Sequence, residues 1–226
     1  MIIAIDGPAG SGKSSTARAV AERLGFRHLD SGAFYRTLTL AALRAGPPPE
    51  QWQDLGRERL DALGVGARDD GDRFVMRIHD QDVDQQIRSP EVNAHVSEMA
   101  RVPAVRHWLL SRLRAAADCD VVADGRDMGT VVFPDARLKV FLIADPETRA
   151  RRRLAEMGNP DPDTHQVRAE TRRLLARDRI DSEREAAPLR KADDAIVVDT
   201  TALTFDEQVG MIETLGRSRG ANAPAP

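Results

Sequence analysis

An apolar run, Ile2-Ile3-Ala4-Ile5, ends at Asp6 and passes directly into Gly7-Pro8-Ala9-Gly10-Ser11-Gly12-Lys13-Ser14. The spacing G-x-x-x-x-G-K-S between a strand-like segment and a helix-like one constrains this chain more than any other feature, because it predicts a P-loop. Glycines let the backbone turn tightly and present bare N–H groups to phosphate oxygens. The N-terminus of the following helix adds a partial positive charge. Lys13 supplies a full charge to the β- and γ-phosphates of a nucleoside triphosphate, and the Ser14 hydroxyl can ligate Mg²⁺. Ser15 to Leu24 reads as that helix, with Gly25 as its stop.

A P-loop needs a parallel sheet behind it, and the chain supplies one. Apolar strands are predicted at 2–5, 26–29, 121–124, 138–144 and 195–199, interleaved with helices. The expected fold class is α/β: a five-stranded parallel sheet flanked by helices. Residues 60–88 break this rhythm. Leu63 to Ala67 is strand-like, Asp69-Asp70-Gly71-Asp72 is a turn, and Phe74, Met76 and Ile78 alternate on one strand face. A small antiparallel sheet inserted into the βα scaffold is expected there. Further helices are read at 33–44, from Pro90 to Pro103, from there to 117, after Asp145-Pro146, at 164–180 and at 204–215. Residues 221–226 are expected to fray.

The chain has 226 residues, enough for one sizeable core with an insertion. A net charge of −3 gives no general pull toward nucleic acid or a membrane surface. The apolar start is too short and lacks the basic flank of a signal peptide, and no segment has the apolar length of a membrane span. With Cys119 as the single cysteine, a reducing, cytoplasmic setting is expected. His28, His79, His95, His107 and His165 show no metal-ligand spacing.

The class of P-loop protein narrows by exclusion. No N-K-x-D guanine motif occurs, and Asp124 at a strand end is followed by Gly125-Arg126-Asp127, not by a catalytic Glu. A small kinase remains. It needs a second anion site facing the P-loop, and a cationic lid that excludes water. Asp30-Ser31-Gly32-Ala33-Phe34-Tyr35-Arg36 follows a strand end and is expected to open beside the P-loop. Arg149, Arg152 and Arg153 share one helix face, and Arg177, Asp181 and Arg184 another if that helix continues so far. These two helices are the expected lid.

The runs Gly7–Ser15, Leu29–Arg36, Ile87–Val92, Asp124–Asp135 and Arg177-Asp178 with Ala187-Pro188-Leu189 resemble the bacterial cytidylate kinases, in order along nearly the whole chain. The resemblance implies ATP and CMP or dCMP as substrates, Mg²⁺, and a monomer that binds neither nucleic acid nor membrane. It implies a core of residues 1–30, 104–148 and 186–220, a nucleotide-acceptor region at 31–103 and a lid at 149–185. Gly7 to Ser15, with Arg149 and Arg153, would bind ATP. Ser31, Arg36 and Arg126 would hold the CMP phosphate, and Arg177 and Asp181 the sugar, with Arg184 near the phosphates. Asp127 would meet the cytosine amino group, with Ser97 and Arg106 on the other base atoms. Lys13, Asp124, Arg126, Arg177 and Arg184 would carry catalysis, Asp124 either holding Mg²⁺ with Ser14 or orienting the acceptor. A kinase for UMP, AMP or shikimate, and a non-catalytic nucleotide-binding regulator, are the alternative readings.

Overall fold

The computed structural model describes residues 1–71 and 73–221; Asp72 of the anticipated turn and residues 222–226 of the anticipated tail lie outside them. Strand β1 (Ile2–Asp6) leads through the P-loop into α1 (Lys13–Leu24), then β2 (Arg27–Asp30) and α2 (Ser31–Ala45). The insertion holds α3 (Arg57–Ala62), β3 (Val65–Asp69), β4 (Phe74–Ile78) and β5 (Gln81–Asp82). Next come α4 (Pro90–Met99), α5 (Pro103–Ala115), β6 (Val121–Gly125) and β7 (Leu138–Ile143). The chain continues with α6 (Pro146–Glu156), α7 (Thr164–Glu183), β8 (Ile196–Asp199) and α8 (Phe205–Ser218).

The expected parallel sheet forms with strand order β2-β6-β1-β7-β8, and β3-β4-β5 form the small antiparallel sheet. The order refines one expectation. The loop after β2 does not open directly beside the P-loop, because β6 lies between β2 and β1. Register pairs Asp6 with Gly125 and Asp30 with Asp124, so the ends of three adjacent strands are level. In an open α/β sheet this carboxyl edge is where ligands gather. The residues after β6 are therefore flanked by the P-loop on one side and the start of α2 on the other.

Both faces of the sheet are covered, which is why its strands are apolar along their length rather than alternating. On one face Ile3, Ile5 and Val140 pack with Ala17, Val20 and Leu24 of α1 and Val209 and Ile212 of α8. On the other, Ala4 and Leu29 pack with α2, α4, α5 and the insertion, around the fully buried Trp52. A third, small cluster joins Ala9 to Ala150, Val167 and Leu174 of α6 and α7.

Capping sets the helix starts. The Asp30 side chain accepts the Ala33 N–H, so α2 begins at Ser31, two residues earlier than its sequence suggested. Ser89 caps α4 with Pro90 at its first position, and Asp145 caps α6 with Pro146 in the same place. Thr204 and Glu207 form a capping box on α8. Past α8, Ala221 is 5% exposed and its N–H donates to Gly216, so the frayed end does not begin at that residue.

Ile212 is fully buried between α1 and the sheet. Ile212→Ala is expected to cost about 2–5 kcal/mol of stability through lost transfer energy and a cavity. Urea unfolding checks this, with the midpoint falling and the slope unchanged.

Candidate active site

Gly7 is required because a Cβ there would lie 2.4 Å from the Leu142 carbonyl oxygen. Gly12 sits at φ 81, left-handed, as the N-cap of α1, and its carbonyl accepts the Thr16 N–H. No side chain caps α1 and no acidic residue stands in its first turn, so its N-terminal amides face the cleft. Lys13 Nζ donates to Pro8 O at 3.1 Å, folded back over the loop.

Asp124, next to the last residue of β6, is 1% exposed. One carboxylate oxygen accepts from Ser14 Oγ at 2.5 Å, and the other lies 2.7 Å from His28 Nε2. Burial pushes the Asp124 carboxyl up, but His28, Lys13 and Ser14 outweigh it and hold the group below its usual range. For His28, burial opposes protonation and the Asp124 bond and charge prevail, raising its pKa. Ser14 and Asp124 thus bring two hard oxygen donors together. Few protein oxygens beside a phosphate cradle suit Mg²⁺, which keeps waters and takes its remaining ligands from phosphate. Among the described residues no cluster of three or more His, Cys, Asp or Glu could hold a metal by itself.

Beyond β6 the chain makes a tight turn. Arg126 Nε donates to Asp181 Oδ2 at 2.8 Å. Asp127 is 3% exposed, bonded to Arg106 Nη2 and 3.6 Å from Arg184 Nη2. Residues 128–132 then form a single π-helical turn, with the Met128 and Gly129 N–H groups each donating at 2.8 Å to Asp6. Asp6 therefore braces the loop that presents Arg126 and Asp127. Burial lifts its carboxyl to about 6, the two N–H donors resisting the rise.

A cleft of about 490 Å³ joins these groups. Lys13, Ser14, Ser15 and Asp124 line it together with Ala9, Gly10 and Gly12 of the loop. Ser31, Arg36, Ser97, Arg106, Arg126 and Asp127 line it as well, as do Arg153 of α6, Arg177 and Asp181 of α7, and Arg184 just past α7. The helix does not continue to Arg184 as anticipated: α7 ends at Glu183, and Arg184, in extended backbone just past it, turns back to Asp127 and Asp181.

Four anticipated residues do not line the cleft: Gly7, Pro8, Ser11 and Arg149. Arg149 is 4% exposed beneath the P-loop, donating to Ala9 O at 2.8 Å and Asp178 Oδ2 at 2.5 Å. Arg152, on the same helix face in sequence, is spent on the Thr200 carbonyl and hydroxyl. Other residues were missed. The register of β1, β2 and β6 brings in Asp6 and His28, while Tyr35 of α2 and Asp178 of α7 lie in segments the sequence singled out without giving them a role. The Arg106 guanidinium lies 5.4 Å from the Tyr35 ring centroid.

The cleft is electropositive before any substrate enters. Burial, then Arg126, Arg36 and Arg153, lower the Arg177 guanidinium to about 10. Burial lowers Arg36, with Asp30 only partly restoring it. Arg177 Nε is buried with no partner. Such crowded, underpartnered cations fit a polyphosphate that would neutralise them.

A parallel sheet with a P-loop facing a second, arginine-lined anion pocket defines a P-loop kinase. The chain matches the cytidylate kinase family over residues 3–216. It is 44% identical to a cytidylate kinase of Mycobacterium avium over 225 residues, 97% of this chain and 96% of the relative. A cytidylate kinase of Salinibacter ruber is 45% identical over 94% of this chain and 95% of its own. An uncharacterized protein of Eubacterium ventriosum shares the fold, with a TM-score of 0.52 at 15% identity, over 96% of this chain and 98% of that one. The chain belongs to the cytidylate kinase family. No helix among the described residues is long and apolar enough to cross a membrane.

Burial, followed by the charge of Arg126, lowers the Lys13 ammonium to about 7. In the free enzyme it is therefore largely neutral at about pH 8, and bound phosphates restore its proton. ATP binding is expected to take up close to one proton at about pH 8 and almost none at about pH 6. Nucleotide affinity falls as pH rises through that range. Calorimetry in buffers of different ionisation heat measures the uptake, and Lys13→Met abolishes it.

Proposed function

We propose that this chain transfers the γ-phosphoryl group of ATP to CMP and dCMP, giving CDP and dCDP, with the P-loop as donor half and Ser31, Arg36, Ser97, Arg106, Arg126 and Asp127 as acceptor half. The observation that carries the base assignment is Asp127, buried between Arg106 and Arg184 in the cleft that Lys13 also lines. Cytosine presents an amino donor beside N3 and O2 acceptors, matching one carboxylate flanked by cationic donors. Uracil would turn a carbonyl toward that carboxylate, leaving buried polar groups opposed.

Arg36 and Arg126 receive the acceptor phosphate, and the Ser31 hydroxyl, which donates to the Asp124 carbonyl at 2.8 Å, lines the same cleft. Arg177 and Asp181 meet the sugar. Arg177 and Arg184 also bring charge toward the transferring group, as Lys13 does from the donor side. Catalysis is positioning and charge stabilisation. Mg²⁺ bound at Ser14 and Asp124 would neutralise phosphate charge. No protein base is needed to make a phosphate monoester oxygen nucleophilic. Arg153, 3.1 Å from Glu156 at the mouth, faces ATP. Arg149 serves ATP by holding the loop from below.

We divide the chain functionally into a core of residues 1–30, 104–148 and 186–220, an acceptor region at 31–103 and a lid at 149–185. The small apolar cluster of Ala150, Val167 and Leu174 beneath Ala9 supports treating the lid helices as a unit, while the acceptor region shares one apolar cluster with the core. A cytoplasmic setting accords with the free Cys119.

ADP release measured over a panel of monophosphate acceptors tests the reading. CMP and dCMP are expected to give the highest kcat/KM, and a higher value for UMP or AMP would overturn the cytosine assignment. Asp127→Asn should shrink the CMP-to-UMP ratio by about tenfold or more, from loss of the charged acceptor. Arg36→Ala should raise the CMP KM by about a hundredfold, the loss of a charge-assisted phosphate contact, with the ATP KM within about twofold. Equal loss for both substrates would remove Arg36 from the acceptor site.

A further inference from the structure

One residue of α7 is engaged outside the acceptor pocket. Asp178 follows Arg177 directly and precedes Asp181 by less than one helical turn. Its Oδ1 accepts the Ala9 N–H at 2.7 Å, and its Oδ2 accepts Arg149 Nη1 at 2.5 Å. The same Arg149 nitrogen donates to the Ala9 carbonyl at 2.8 Å. An ion pair assembled from α6 and α7 thus grips both backbone polar groups of one P-loop residue, Ala9. Apolar packing reinforces the grip. Ala9 is buried with Ala150, Val167 and Leu174. A Cβ on Gly10 would lie 3.3 Å from both Arg149 O and Leu174 Cδ1.

The P-loop apex is therefore seated on α7, and α7 also carries Arg177 and Asp181 into the acceptor pocket. Close-packed groups of this kind cannot slide past one another freely, so a displacement of the helix reaches the loop. We infer that Asp178 is a positioning residue that couples the two substrate sites: acceptor nucleotide drawn against Arg177 and Asp181 fixes α7, and Asp178 passes that constraint to Ala9 and the phosphate cradle beyond it. The coupling rests on the assignment of Arg177 and Asp181 to the acceptor. By linkage it is reciprocal, with ATP tightening CMP by the same factor.

The test is calorimetric titration of the full chain with the non-hydrolysable ATP analogue AMP-PNP and Mg²⁺, with and without saturating CMP. In the wild type CMP is expected to tighten AMP-PNP by about fivefold or more, within the usual span of coupling between sites. Asp178→Asn keeps the size and one oxygen for the Ala9 N–H but loses the charge that holds Arg149. It should cut the factor below about twofold while CMP alone binds within about twofold of wild type. A variant that binds AMP-PNP more weakly yet retains the full factor would show a merely structural role and overturn the inference. So would a wild type with no coupling. Hydrogen exchange on the wild type needs no variant: CMP alone should slow exchange of the amides at 9–12, and unchanged exchange overturns the inference. CMP binding without these effects sinks the coupling alone, whereas absence of CMP binding sinks the acceptor assignment with it.

Discussion

The Asp124 carboxylate is the interaction on which the site depends. It stands next to the last residue of the strand that lies between β1 and β2, and it takes one partner from each side: Ser14 from the helix after β1 and His28 from β2. A buried charge is tolerable only when paired and hydrogen-bonded. This one is satisfied by groups that exist in place only if three parallel strands are in register. The P-loop helix and β2 are thus tied to β6 by a single desolvated anion.

Around that anion the charges divide into two kinds. Arg106 with Asp127, and Arg126 with Asp181, are matched pairs that hold their geometry without substrate. Lys13, Arg36 and Arg177 are crowded by like charge and burial, and their protons are held less tightly than usual. Of the first kind, Arg106 with Asp127 is suited to recognition of a neutral base, where orientation decides affinity, while Asp181 keeps Arg126 aimed. The second is suited to phosphate, where charge decides it. The separation follows from where acids were placed: Asp127 and Asp181 stand toward the acceptor side, and no acidic residue stands in the first turn of α1.

Much of this was legible in the sequence because it is encoded locally. The P-loop, the five core strands, the inserted antiparallel sheet and the caps at Ser89 and Asp145 each lie within a few consecutive residues. What was not legible depends on strand order. Nothing in the sequence places β6 between β1 and β2, so neither the His28–Asp124–Ser14 chain nor the brace from Asp6 to Met128 and Gly129 could be foreseen. The spacing of Arg149, Arg152 and Arg153 predicts one cationic face on a lid helix. Spacing identifies a face but not what packs against it, and here that is Ala9 and Thr200. The short β5, the helix α3 and the π-helical turn at 128–132 carry too few residues for a periodic signal.

The insertion has a consequence for solubility. In the five-stranded sheet β2 is an edge, with unpaired backbone groups of the kind that template aggregation. The three-stranded unit reaches that edge through an isolated bridge between His28 and Arg73 and an ion pair of 2.7 Å between Arg27 and Asp69. The opposite edge, β8, is only four residues long and ends in Asp199. A shortened chain lacking residues 60–88 would lose more than part of its acceptor pocket. It would expose the strand that carries His28, and molecules could join edge to edge there.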